Sequence, residues 1–295
     1  MTEPTNSAHP TTELLHWQET LLKRSVRRLA KLSHVKRMAG NLGGFRCLEI
    51  SAGDGLLSTQ FYGMGASWET LAVSREAACS VALTTGRSVP ALENATIPFE
   101  DETFDLVVIL DALKAIDDDY GFIRECHRVL KNNGRVIIDE RCKRPFSAAF
   151  LLNRIFGIAP TKRGARRDGY SDKELYNILK DGFDVPEIAH YSNGLYEAGA
   201  AFWDALQYAE TGAPYWMVSD ANKARFENYR RLARIAGILR PIALLCSKFE
   251  FLPGHRTAVK SRKRPWRPRV QPLLIDGRTI ADAAINSKIG TAAEF

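Results

Sequence analysis

Apolar positions along the chain change rhythm twice. Between residues 13 and 39, Leu14, Leu15, Leu21, Leu22, Leu29, Leu32, Val35 and Met38 recur at roughly helical spacing among basic residues. That pattern predicts one amphipathic leading helix, ended at Asn41-Leu42-Gly43-Gly44. From Phe45 the rhythm shortens. Phe45 to Ile50 reads as a strand, and Ser51-Ala52-Gly53-Asp54-Gly55 as a tight turn opening a helix. Trp68 to Val73 is a second strand, with Ser74 capping an alanine-rich helix. Phe104 to Leu110 is a continuous apolar run, as expected of a strand covered on both faces. A helix over Asp117 to Lys131, closed by Asn132-Asn133-Gly134, leads to a buried strand from Arg135 to Asp139. Strands alternating with helices imply a mostly parallel sheet with right-handed crossovers.

The second half is less regular. Ser171-Asp172-Lys173-Glu174 reads as an N-cap with an acidic first turn. Val185 to Ser192 is a candidate strand, Glu197 to about Leu245 a helical insertion, and His255 to Lys263 a final strand. Residues 1–12 read as a disordered lead-in without the charged start and apolar stretch of a secretory signal. The tail after Pro265 is expected to pack loosely.

A length of 295 residues, 45% of them hydrophobic and 25% charged, suits a soluble globular chain with one large core. The five cysteines are odd in number and no CxxC spacing occurs, so neither a zinc site nor a disulfide framework is expected. Idle thiols of this kind suit a reducing, cytoplasmic setting. The net charge of +7 comes mainly from two clusters: Lys23, Arg24, Arg27, Arg28, Lys31, Lys36 and Arg37, then Arg256, Lys260, Arg262, Lys263, Arg264, Arg267 and Arg269. Each reads either as a phosphate-attracting patch or as a solvated face.

A strand, a glycine turn and a helix N-terminus together make a place for an anionic or carboxylate-bearing ligand. Gly53-x-Gly55 alone is weak evidence, but three later segments fall in order behind it. Leu48-Glu49-Ile50-Ser51-Ala52-Gly53-Asp54-Gly55, Glu93-Asn94-Ala95-Thr96-Ile97-Pro98-Phe99, Phe104-Asp105-Leu106-Val107-Val108 and Arg128-Val129-Leu130-Lys131-Asn132-Asn133-Gly134 resemble successive motifs of the class I S-adenosylmethionine-dependent methyltransferases. The resemblance spans residues 45 to about 140, within a methyltransferase domain of residues 13–264. It implies a Rossmann-like, seven-stranded, mostly parallel α/β sheet with helices on both faces. Residues 145–250 would include a helical lid, and residues 265–295 form the tail.

The resemblance also implies roles. Glu49 is the acidic residue of the first motif, and backbone around Ser51, Gly53 and Gly55 would hold the aminoacyl end of S-adenosylmethionine. Ser74 would meet the ribose, Glu93 and Asn94 the adenine. Leu110 and Asp111 would border the transferred methyl. Asp111 is the candidate base, expected to have a raised pKa in a partly closed pocket; capping the following turn is its alternative role. His190 and Tyr191 are outside candidates, and His127 is expected on the surface. Three positions depart from the family: Ser51 for the first glycine, Ser74 for the ribose-binding carboxylate, and Leu113-Lys114-Ala115-Ile116 for a segment that often carries histidine.

No N/D-P-P-Y/F segment follows the fourth of the family's strands, which argues against amino methylation of adenine or cytosine bases and makes nucleic acid an unexpected partner. No G-x-G-x-x-G follows a strand, which argues against a dehydrogenase. Cys142 lies where RNA cytosine methyltransferases keep a nucleophile, but its surroundings lack the rest of that site. Phe146, Phe150, Leu151, Leu152, Ile155 and Phe156, with Leu232 to Leu245, suggest a lid handling a hydrophobic acceptor at an anionic membrane surface. The expected function is methyl transfer from S-adenosylmethionine to a small or lipid-like acceptor. Its alternative is a degenerate relative that binds without turnover.

Overall fold

The computed structural model describes residues 12–157, 165–199, 201, 221–249 and 254–267. Four parallel strands carry the first half: β1 (Arg46–Ser51), β2 (Ser67–Ala72), β3 (Phe104–Leu110) and β4 (Leu130–Arg141). β5 (Phe183–Asn193) and β6 (Gly254–Lys263) complete the sheet, with β6 antiparallel to both its neighbours. The order is β2-β1-β3-β4-β6-β5. This is the mixed α/β, Rossmann-like sheet that the strand–helix alternation predicts.

The helices are α1 (Thr12–Arg24), α2 (Val26–Ala39), α3 (Leu56–Tyr62), α4 (Arg75–Thr85), α5 (Asp119–Val129), α6 (Ala148–Ile155), α7 (Asp172–Leu179) and α8 (Ala221–Ser247), with a further helical turn at 194–199. Because successive strand residues point to opposite faces, β3 divides its apolar run between two cores. Val107 and Ile109 pack toward Phe122 and Ile123 of α5 and Leu175 of α7. Leu106, Val108 and Leu110 pack toward Val35 and Met38 of α2 and Phe61 of α3.

Several expectations change. Among the described residues the sheet has six strands where seven were expected. At the outer edge, among the described residues, the chain pairs with β2 through a single bridge, Ala72–Ala91. Pro90 has no N–H with which to extend a ladder, and Asn94 and Ala95 turn away at φ 50 and 57. The single leading helix is two. Ser25 leaves helical geometry at φ −82, ψ 103, and its side chain accepts from Arg28 N to start α2.

The Asn132–Gly134 segment lies inside β4 rather than before it. Phe104 pairs with Leu130 but Leu106 with Arg135, so the intervening residues bulge out, Asn133 at φ 63. Of the second basic cluster, Arg256, Lys260, Arg262 and Lys263 lie on β6, as expected. Past residue 264 packing continues: Trp266 lies edge-on to Tyr120 and His127. His127 is therefore not a surface residue; its Nε2 lies 2.8 Å from Arg264 O. The lead-in (residues 1–11), residues 202–220 of the insertion and residues 268–295 of the tail lie outside the described residues.

Candidate active site

The carboxyl ends of β1, β2 and β3 lie side by side, Ser51 facing Ala72 on one flank and Leu110 on the other. Ligands in open α/β sheets bind at this edge. Here the turn after β1 is closed by its own side chain: Gly53 N donates to Ser51 Oγ at 3.4 Å. A serine thus serves where the family prefers glycine, because its hydroxyl forms the turn.

The two glycines of the turn have different surroundings. A Cβ on Gly53 would meet nothing within 4 Å, so the turn opens there into free space. At Gly55, φ is +78 and a Cβ would lie 3.0 Å from Val81 Cα, so only glycine fits. Asp54 locks the bend. Its Oδ1 accepts from Leu56 N at 3.2 Å and its Oδ2 from Arg28 Nη2 at 2.7 Å.

Ser74 and Glu93 flank the end of β2, one after the strand and one after the Ala91 bridge. The Ser74 hydroxyl caps α4, accepting from Ala77 N at 3.2 Å. Glu93 and Asn94 are exposed on a turn in which Thr96 N donates to Glu93 O at 2.9 Å. Glu49 is the exception among the expected cofactor contacts. It is 1% exposed, and its carboxylate accepts from Ser58 Oγ at 2.9 Å and Thr70 Oγ1 at 3.2 Å. Burial pushes its pKa up to about 7. Glu49 supports the turn from below and does not face the crevice. The Leu110 side chain likewise packs beneath α2, leaving only its backbone at the edge.

A second constellation occupies the ends of β3, β4 and β6. Asp111, held at φ 54, turns back over the edge, a conformation aspartate tolerates. Arg256 Nη2 donates to Asp111 Oδ1 at 2.7 Å and to Asp139 Oδ1 at 2.6 Å. Lys114 Nζ donates to Asp111 Oδ1 at 2.8 Å, and Lys31 of α2 donates to Asp111 Oδ2 and lies 3.4 Å from Asp139. Tyr191 donates to Asp139 and stacks on His34, ring centroids 4.5 Å apart.

Burial alone would raise the Asp111 carboxyl, but Arg256, Lys114 and Lys31 together hold it well below the usual carboxylate range. The raised pKa expected for Asp111 is therefore reversed. A group held ionised so firmly is a poor proton acceptor. Glu140 behaves oppositely: burial raises it, and its Oε2 has no hydrogen-bond partner. His190 and Cys142 meet near Thr257, whose Oγ1 lies 2.7 Å from Cys142 Sγ. Burial pushes that thiol up, which keeps it un-ionised and poorly nucleophilic.

Arg27, Arg28 and Lys31 are not a solvated face. They pair with Glu197, Asp54 and Asp111. The sequence reading missed Arg28, Lys31, Asp139 and Arg256 as parts of this site. One signal was available for two of them: Arg28, Lys31, Leu32, Val35 and Met38 share one helical face by the i, i+3, i+4, i+7 rule.

Residues 48–138 match the family model of a methyltransferase domain. The chain is 29% identical over 154 residues to a demethylmenaquinone methyltransferase of Streptomyces griseus subsp. griseus, covering 49% of this chain and 64% of that protein. It is 34% identical over 123 residues to the ubiquinone/menaquinone biosynthesis C-methyltransferase UbiE of Idiomarina loihiensis, covering 38% and 48%. Both matches span less than two thirds of the relative's own length. Among solved structures, a methyltransferase-like protein of Bacillus halodurans superposes with a TM-score of 0.50 at 15% identity, covering 79% of this chain and 99% of that one. The cyclase SpnF superposes with a TM-score of 0.51 at 15% identity, covering 88% and 99%. The segment from Leu48 to Ile138 is thus similar to a methyltransferase domain, over less than half of the chain.

Proposed function

We propose that the chain transfers the methyl group of S-adenosylmethionine to a hydrophobic small molecule of quinone-like or lipid-like character. The observation that carries the cofactor half is the open bend at Gly53, set between Ser51, Ser74, Glu93 and the β3 end. A cradle that one added side chain would fill suits the aminoacyl end of this ligand, whose carboxylate meets peptide N–H groups. The bound cofactor supplies an electrophilic sulfonium methyl, and the chain supplies orientation and exclusion of water. Residues 13–264 would form the catalytic domain and 145–250 would cover the acceptor. The curated relatives support the acceptor class, being named for quinone biosynthesis. A hydrophobic acceptor of that kind favours contact with a membrane. No helix of the described residues is long and apolar enough to cross one.

In this reading Asp111 is not the base. It pins Arg256, Lys31 and Lys114 around the acceptor end, and an acidic acceptor gives its proton to bulk water before it enters the site. The second reading, cofactor binding without turnover, is favoured by Ser74, whose hydroxyl already caps α4 and which brings no carboxylate to the ribose. The fold alone does not choose, since one structural neighbour is named a cyclase. Calorimetric titration with S-adenosylmethionine, followed by a methyl-transfer assay on demethylated quinones, separates them. Binding with turnover supports the first reading; binding without turnover on any hydrophobic acceptor supports the second. No binding overturns both.

A further inference from the structure

Helix α6 is built inside out. It buries Ala149 and the polar Asn153, one turn apart, and exposes Leu151, Ile155 (74%) and Phe156. Just before its N-cap, Phe146 is 83% exposed and held at φ 67, a backbone conformation that bulky residues rarely adopt. The last turns of α8 repeat the pattern: Ile238 (74%), Leu239, Ile242, Leu244 and Leu245 face solvent. Single exposed leucines are ordinary; two helices presenting rows of them are not.

The two rows converge on one rim of the molecule. Arg144, at the approach to α6, donates from Nε to Gly254 O at 3.0 Å. Asn193, which pairs with Gly254 in the β5–β6 ladder, donates to Cys246 O at the end of α8. Gly254 is two residues from Arg256, so the rim borders the acceptor end of the site. The charges there are of one sign. Arg154 of α6, Arg240 in the last turns of α8 and Lys248 just past them are the charges within the two exposed rows, while Lys143 beside them is paired with Glu174. Exposed apolar rows that carry cations within them complement an anionic lipid surface. The same charges would repel in a face-to-face contact between two copies.

We infer that α6 and the C-terminal half of α8 form the face by which the protein docks on an anionic bilayer, bringing the acceptor end of the site to the membrane. This deepens the proposed function and rests on its hydrophobic acceptor, although docking itself needs no turnover. The basic leading helix does not take this part, because Arg27, Arg28 and Lys31 are paired internally.

The test uses the full chain with sedimentable vesicles of phosphatidylcholine, alone or with phosphatidylglycerol. Cosedimentation is expected with the anionic vesicles, weaker with neutral ones and at raised salt. Ile155→Glu combined with Ile242→Glu should weaken it at least about tenfold, while Leu15→Glu, on an exposed position of α1, should not. Binding of S-adenosylmethionine, read by calorimetry, should be unchanged in both variants, which shows that the fold survives. Absence of cosedimentation on both vesicles, or equal binding by the double variant, overturns the inference. So does a dimer, seen by light scattering without lipid, that the double variant splits. A chain that sediments but methylates no hydrophobic acceptor refutes the acceptor and keeps the docking face. One that methylates without sedimenting does the reverse.

Discussion

The two ends of this site are made of different materials. At the end proposed for the cofactor the surfaces are peptide groups, two glycines and serine hydroxyls, with the Asp54 carboxylate holding the bend and the buried Glu49 carboxyl beneath it. At the end proposed for the acceptor five charged side chains from α2, the β3 and β4 ends, the turn that follows β3, and β6 lock one another: Lys31, Asp111, Lys114, Asp139 and Arg256. Backbone cradles depend on local geometry and tolerate serine for glycine if the turn still closes. Ion clusters depend on every member, since removing one charge strands its partners in a desolvated place. The first end should fail by losing ligand, the second by losing stability.

The sharpest break is therefore Arg256→Met. It removes the guanidinium shared by Asp111 and Asp139, leaving Lys31 and Lys114 to face them, and should cost up to about 3–5 kcal/mol of unfolding free energy, read from urea denaturation. Cofactor affinity should move little. A loss below about 1 kcal/mol would mean that the cluster behaves as exposed ion pairs do.

The buried carboxyls also set opposite pH responses. The Glu49 carboxyl lies at about 7 in the fold against an ordinary 4.5. It holds its proton longer folded than unfolded, so its contribution is present below 4.5 and lost as pH rises toward 7. Glu49→Gln should remove that fall, up to about 3 kcal/mol, and raise stability at neutral pH. Asp111 runs the other way: its depressed carboxyl contributes above its ordinary 3.8 and loses that contribution as the solution is acidified. Unfolding curves for Glu49→Gln across this range check both signs. A variant whose stability still falls between 4.5 and 7 places the titrating group elsewhere.

Gly53→Val sharpens the comparison from the cofactor side. The new side chain meets no protein atom near its Cβ, so the melting temperature should hold while affinity for S-adenosylmethionine falls at least about a hundredfold, some 2.7 kcal/mol. Gly55→Val is its control, since strain at φ +78 and the Val81 contact should destabilise the fold itself. Unaltered binding in Gly53→Val would move the crevice away from this turn.

The same contrast explains what could be read from sequence. A backbone cradle is written within a few residues, so Ser51, Gly53 and Gly55 stand out beside the strand that precedes them. Parallel strands buried on both faces are likewise written as apolar runs, and β1 to β4 were legible for that reason. The seventh strand was not, because one proline and two left-handed residues reduce it to a bridge. The charged cluster joins positions 31, 111, 139 and 256, which only the folded sheet brings together. Its cations looked like ordinary surface charge, and Asp111 looked like a base, because spacing carries no sign of the guanidinium opposite.

Ser74 is where the two materials could be exchanged, and the expected effect is the smallest. Aspartate caps a helix about as well as serine, so Ser74→Asp should keep α4 and leave stability within about 0.5 kcal/mol. It would also bring a second acceptor oxygen to the end of β2, where the resemblance places the ribose. A charge-assisted bond there should tighten S-adenosylmethionine binding about tenfold, measured by calorimetry. The gain should vanish for a cofactor analogue lacking the ribose hydroxyls, because a carboxylate attracts the sulfonium charge whatever the sugar carries. Equal gains for both ligands would show that Ser74 sees only net charge. No gain for either would leave it a helix cap and place the ribose on another strand end.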